Sequence, residues 1–213
     1  RYLQAEGVIG TELDKSLSTP ATRAQVAHVL ANTLPEEALP PVHADLVTQA
    51  YASRQFITDV TEYTPYYQDI LTLYRTGVSV GSDAAGSFLP DQPITRAEFV
   101  TMAMGFAHRV SSPDSSFPDV HPGDWYYEAV LSAADYGWIS GYPDGSFCPQ
   151  RLVTRGEMSV MVNRMLGRKA DPDFISGHTG LYTFLDVPAF HWAYDDICEA
   201  ANAHRYTQSD GKE

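Results

Sequence analysis

The chain is short of positive charge. Its 213 residues hold 14 Lys and Arg against 27 Asp and Glu, a formal net charge of −13 at pH 7. Binding to a phosphate backbone draws on a basic face, so this balance argues against a nucleic-acid partner while leaving room for a local anion site. Cysteine is scarce, with Cys148 and Cys198 alone. No metal-type spacing surrounds them; a disulfide and two separate small core residues both fit the sequence. Long apolar runs are missing too. No stretch approaches the roughly 18 uninterrupted apolar residues of a membrane span, so membrane insertion is not expected. The chain has no initiator methionine and no signal peptide, which reads as a mature piece of something longer. Against these absences stand a hydrophobic content of 44% and 13 tyrosines. That much apolar residue argues against disorder, and the length suits one buried domain or several small repeats.

The chain repeats itself. "GYPDGSFCPQRLVTRGEM" (Gly141 to Met158) shares Gly, Gly-Ser-Phe-x-Pro and Thr-Arg-x-Glu with "GSDAAGSFLPDQPITRAEF" (Gly81 to Phe99). "TPATRAQV" (Thr19 to Val26) is a weaker third copy of the ending. Upstream, "ITDVTEYTPYYQDI" from Ile57, "FPDVHPGDWYYEAV" from Phe117 and "FLDVPAFHWAYDDI" from Phe184 run parallel. In each, an aliphatic residue follows the Asp of Asp-Val at the same distance: Ile70, Val130, Ile197.

Each unit reads as two helices around a turn. The first helix, starting near Trp125 in the best copy, carries Val130, Ala133, Ala134 and Gly137 on one stripe, matched by Ile70, Leu73, Tyr74 and Gly77. Gly77 and Gly137 suit helix C-caps, where a positive φ is needed. The second helix carries Phe99, Met102, Ala103 and Phe106, matched by Met158, Met161, Val162 and Met165 and by Val26, Val29 and Leu30. These stripes, methionines included, predict core.

The second helix also has a defined start. Thr95 to Glu98 and Thr154 to Glu157 have the form of a capping box, and Thr22 to Gln25 is its amide version. An arginine therefore occupies the first helical position each time: Arg23, Arg96, Arg155. A cation there opposes the helix dipole by up to about 1 kcal/mol. Two readings explain the choice. An anion held between the arginine and free helix N–H groups is one. A structural ion pair with an acidic residue of the adjacent repeat is the other.

Together these motifs resemble the S-layer homology (SLH) domain, whose repeat combines F-x-D-V, a Trp-led helix, G-Y-x-D-G-x-F-x-P and I-T-R-A-E. Phe117 to Arg168 matches almost throughout and Ile57 to Arg109 matches well. The resemblance implies a mainly α fold with helix–loop–helix repeats about a pseudo-threefold axis. It implies non-covalent anchoring to a secondary cell-wall polysaccharide, often pyruvylated, at the bacterial cell wall or S-layer. The family's arginine, which meets the pyruvyl carboxylate, maps to Arg96 and Arg155 and less closely to Arg23. The groove-lining loop maps to Gly141, Asp144 and Gly145, and the helix-one tryptophan to Trp125 and Trp192. There are departures. Pro65 stands where the others have Trp, the loop "GSDAAGSF" has lost Tyr-Pro and gained a residue, and Gln25 replaces Glu. One good groove is expected, with one or two degraded ones.

The units are expected as a partial repeat at 1–34, a connector at 35–55, repeats at 56–110 and 117–169, and a partial repeat at 184–213. The connector predicts a short helix over Ala44 to Ser53, and its His43 and Asp45 make no catalytic pair. The two partial repeats contain one whole repeat between them, and the segment from Phe184 to Tyr206 is expected beside Arg23 to Leu34, completing a third prong. Exchange of these faces between chains is the self-associating alternative.

For function, the leading expectation is a carbohydrate-binding anchor. A structural or protein-interaction module with degraded ligand sites is the alternative. No Ser/His/Asp spacing, metal motif or phosphate loop points to an enzyme, and no cofactor is expected. Asp144-Gly145 alone is too few oxygens for calcium and is sufficiently explained as a turn.

Overall fold

The computed structural model describes residues 17–33, 57–79, 86–111 and 113–202. The expected helix over Ala44 to Ser53 and most of the "GSDAAGSF" loop lie outside them. The described residues form seven α-helices: α1 (Arg23–Thr33), α2 (Tyr67–Arg75), α3 (Arg96–Ala103), α4 (Tyr127–Asp135), α5 (Arg155–Met165), α6 (Pro172–Gly177) and α7 (Tyr194–Ala201). A 3₁₀ turn, Met104–Phe106, extends α3. There is no strand among the described residues, so the fold is mainly α, as its sequence predicts.

The helices start where their caps place them. Thr95 and Thr154 each close both bonds of a capping box. Thr22 and Gln25 make the same reciprocal pair, at 3.0 and 3.3 Å. Gly77 and Gly137 follow the first helices with φ of 73° and 72°, the left-handed conformation a C-terminal cap requires. The predicted stripes are buried: Val26, Ile70, Phe99, Val130 and Met158 are each at most 2% exposed.

Three isolated antiparallel bridges, Pro20 with Thr154, Thr22 with Pro93 and Thr95 with Leu152, join the strips ahead of α1, α3 and α5. The residues between them close a cyclic set of hydrogen bonds. Ala21 N–H donates to the Val153 carbonyl (2.8 Å), Val153 to Ile94 (3.0 Å) and Ile94 to Ala21 (3.0 Å). This hub is the pseudo-threefold axis. Around it the second helix of one repeat packs on the first helix of the next, pairing α1 with α2, α3 with α4 and α5 with α7.

That rule corrects one expectation. The C-terminal helix α7 packs on α5, and α1 has α2 as its partner. The two partial repeats still meet, but through the turn ahead of α1. Leu17 N–H donates to Asp186, 169 residues away in sequence. Leu17 also shares a small core with Phe184, Val187 and Ile197. Asp59 and Asp119 clamp the matching turns of the other repeats. Asp119 accepts from Phe147 and Cys148 N–H at 2.8 and 2.7 Å, and Asp59 from Phe88 and Leu89 N–H, both at 2.7 Å. Leu89 and Cys148 sit at φ of 59° and 56°, left-handed conformations that such residues avoid, and the aspartates hold them there.

The prongs are fastened differently. Between α1 and α2, His28 meets Asp69 at 2.7 Å, and Asn32 donates to the same carboxylate at 2.9 Å. Between the end of α5 and α7, Arg168 and Glu199 form an ion pair at 3.0 Å, each side chain 5% exposed. Both cysteines are free; Cys198 is buried and Cys148 partly so.

Candidate functional site

The arginines opening α1 and α3 point into the next repeat. Arg23 Nε donates to the Phe88 carbonyl at 2.7 Å, its guanidinium lies 5.1 Å over the Phe88 ring, and Nη1 reaches Glu98 at 3.3 Å. Burial lowers its pKa, against the opposing charges of Glu98 and Asp59. Arg96 repeats the pattern. Its Nε donates to the Phe147 carbonyl at 2.9 Å, Nη2 donates to the Ser140 carbonyl at 3.2 Å, and Nη1 is 3.9 Å from Glu157. For these two, the expected structural pair with an acidic residue of the adjacent repeat is present.

The helix N–H groups are occupied too. The first N–H of α1, α3 and α5 donates to the carbonyl of Gln92, Arg151 and Thr19, and the second to that of Pro90, Pro149 and Leu17, all within 3.1 Å. The cap side chain takes the third. The expected anion cradle of free N–H groups is therefore absent from these helix starts, because the neighbouring turn satisfies the donors that helix ends leave over.

A cavity of about 550 Å³ opens instead along the flank of α5. The turn from Ile139 to Pro143 forms one wall and Leu17 with Ser18 another; Arg96 reaches in, and His191 and Trp192 stand at its edge. Of the residues expected at a site, it gathers Arg96, Gly141 and Trp192. Gly141 has no room for a side chain, since a Cβ would sit 3.0 Å from the Phe117 ring and from the Ser146 carbonyl. Trp192 is 66% exposed.

Others lie elsewhere. Arg155 borders a separate small crevice with Met158, Phe184 and Ile197, and Trp125, 60% exposed, lies in the next prong, edge-on to Tyr126. Asp144 and Gly145 form a turn outside the cavity. Asp144 accepts from Ser146 N–H and Oγ at 2.9 and 2.7 Å, bonds that lower its pKa, and Gly145 has φ of 83°. Among the described residues no cluster of His, Cys, Asp and Glu could hold a metal.

Sequence reading missed Arg151, Arg164, Tyr142 and Glu157 as members of the site. The Tyr142 ring is held between two guanidinium groups, Arg96 at 4.8 Å and Arg151 at 4.7 Å. Its hydroxyl donates to Glu157 Oε1 at 2.8 Å, and burial followed by that carboxylate pushes its pKa up to about 12. Burial raises the pKa of Glu157, but hydrogen bonds from Thr154 and Tyr142 and the charge of Arg96 outweigh it and hold it below its usual value. Arg151 Nη2 lies 3.8 Å from the same Oε1, and Arg164 reaches Ser140 Oγ at 3.4 Å. Among the described residues, three arginines thus line the cavity against one carboxylate. Arg151 and Arg164 are at the positions where the repeats differ, and that difference was the available signal.

The S-layer homology domain profile matches residues 56–100 and 116–159. The chain is 38% identical over 139 residues to "Cell surface glycoprotein 1" of Acetivibrio thermocellus, covering 60% of this chain and 6% of that protein. It is 34% identical over 127 residues to the "Cellulosome-anchoring protein" of the same organism, covering 57% and 27%. It is 27% identical over 165 residues to the "Surface-layer 125 kDa protein" of Lysinibacillus sphaericus, covering 76% and 13%. The chain thus spans about a quarter or less of each of these relatives. Among the described residues no helix is long and apolar enough to cross a membrane. Two segments of the chain, 56–100 and 116–159, are thus each similar to the S-layer homology domain.

Proposed function

We propose that this chain anchors its parent protein non-covalently at the bacterial cell wall, by holding an anionic secondary cell-wall polysaccharide in the cavity beside α5. The reading is recognition without turnover. The domain family and the relatives named as anchoring and surface-layer proteins support the anchoring role. One observation carries the ligand's charge: a chain of net charge −13 concentrates Arg96, Arg151 and Arg164 on one cavity where, among the described residues, Glu157 is the only acidic lining residue. Electropositive walls in a concave site attract and orient an anion. The exposed face of Trp192 offers a platform for a sugar ring.

A structural or protein-interaction role without a ligand would need the arginines for architecture alone. Arg23 fits that description, whereas Arg151 and Arg164 do not, since no hub contact depends on either side chain. Retention of the chain on purified cell walls tests the proposal. Walls carrying their native carboxylate substituents retain it, and chemically de-ketalised walls retain it weakly. Equal recovery from both would remove the carboxylate from the reading, and no retention on native walls would remove anchoring itself. Binding weakens modestly with salt, because few charges are engaged.

A further inference from the structure

We infer that Arg151 and Arg164, rather than the helix-opening arginines, deliver charge to the ligand. We also infer that they confine binding to the α5 groove, making the chain univalent for a carboxylate-bearing sugar. The inference rests on the anchoring reading above and adds which side chains touch the ligand and how many ligands bind.

Arg96 is spoken for: its side chain is 6% exposed, it donates to two carbonyls, and it is stacked on both Phe147 and Tyr142. It fixes the floor of the cavity. Arg151 is different. Its side chain is 53% exposed and its polar contact is the long 3.8 Å approach to Glu157. Arg164 lies on the exposed face of α5, with one long bond to Ser140 Oγ and a charge interaction with Asp196 of α7. Glu157 shows what such a set accepts. Arg96 and Arg151 approach one of its oxygens at 3.9 and 3.8 Å, so the two heads lie within about 8 Å of each other. Glu157 fills the space between them, so a ligand carboxylate meets Arg151 and Arg164 from the exposed side, with charge-assisted bonds of about 2.8 Å. Arg164, joined through Ser140 to Arg96, supplies the third cation.

The other two repeats lack this set. Counted from the Thr-Arg pair, the position of Arg151 is Gln92 in the α3 repeat and Thr19 in the α1 repeat; that of Arg164 is Gly105 and Asn32. Counted from Asp-Val, His191 is replaced by Asp124 and Thr64. The replacements are built in. Asn32 is tied to Asp69, and a Cβ at Gly105 would come within 2.9 Å of Val78 Cγ1 and 3.1 Å of its Cα. No arginine therefore enters the α3 groove at that point without moving backbone.

Isothermal titration of the whole chain decides this. The probe is a carboxylate-bearing oligosaccharide released from bacterial wall polymer, with its de-ketalised form as the comparison. Wild type binds one oligosaccharide per chain. Arg151→Gln and Arg164→Ala each weaken binding about tenfold, and the double variant about a hundredfold, with unchanged helix content and melting temperature. A stoichiometry of two or three, or wild-type affinity in the double variant, overturns the assignment while leaving anchoring in place. Absence of binding by wild type overturns anchoring and the assignment together.

Discussion

The hub and the rim of the α5 groove are a few ångströms apart and follow opposite rules. At the hub all three repeats contribute to one backbone ring. Ala21, Ile94 and Val153 exchange backbone bonds in a ring, and Arg23 and Arg96 each cap the carbonyl of a buried phenylalanine in the next repeat. At the rim the charged positions differ between repeats, and Arg151, Gln92 and Thr19 occupy one of them. The repeated motif therefore encodes assembly of the ring. The proposed ligand-directed chemistry sits where the repetition fails. The threonine–arginine pair illustrates the point: Arg23 and Arg96 lock neighbouring repeats together, and of these two side chains Arg96 also borders the large cavity.

Substitutions separate the two regions. The largest effect belongs to the hub. Arg96→Ala strands the Phe147 and Ser140 carbonyls and removes a cation facing Glu157, costing about 3 kcal/mol. Chemical denaturation measures the loss, and a change below about 1 kcal/mol would make Arg96 a rim residue. Next comes Thr154→Ala, which removes one side of a capping box and costs about 1 kcal/mol in the same experiment.

Glu157 links the regions through pH. Its folded-state pKa lies below its unfolded value, so the stability it confers is present above the unfolded pKa and fades as pH falls through the folded one. The stability gap between wild type and Glu157→Gln therefore narrows below about pH 4. A gap independent of pH from neutrality downward would contradict the depressed pKa. The smallest effect on stability belongs to the rim. Arg151→Gln and Arg164→Ala change it by no more than about 0.5 kcal/mol, since each side chain is exposed and its contacts are long. A destabilisation comparable to that of Arg96→Ala would merge the two regions into one.

The same division explains what the sequence made legible. The caps at Thr95 and Thr154, the glycines at 77 and 137 and the buried stripe through Phe99 and Met158 are local or repeated signals, and the structure contains them. The conversion of α7 from a partner of α1 to a partner of α5 was not local; it depends on which repeat's second helix faces which first helix. Helix α6 was passed over, although Asp171 followed by Pro172 is a capping aspartate ahead of a proline-led first turn. The occupied N–H groups of α1, α3 and α5 could not be seen either, because their acceptors belong to another repeat. Arg151 and Arg164 stand where the repeats diverge, so the recurrence that marks the caps and the buried stripes does not mark them.

The three tryptophans, Trp125, Trp138 and Trp192, give the most direct test. Their indole N–H resonances can be followed while the carboxylate-bearing wall oligosaccharide is added. Trp192, at the edge of the α5 cavity, is expected to shift with saturation at one equivalent, while Trp125, at the matching place in the α3 prong, stays unmoved. Equal shifts of Trp125 and Trp192, or a shift of Trp125 alone, would contradict a single charged groove.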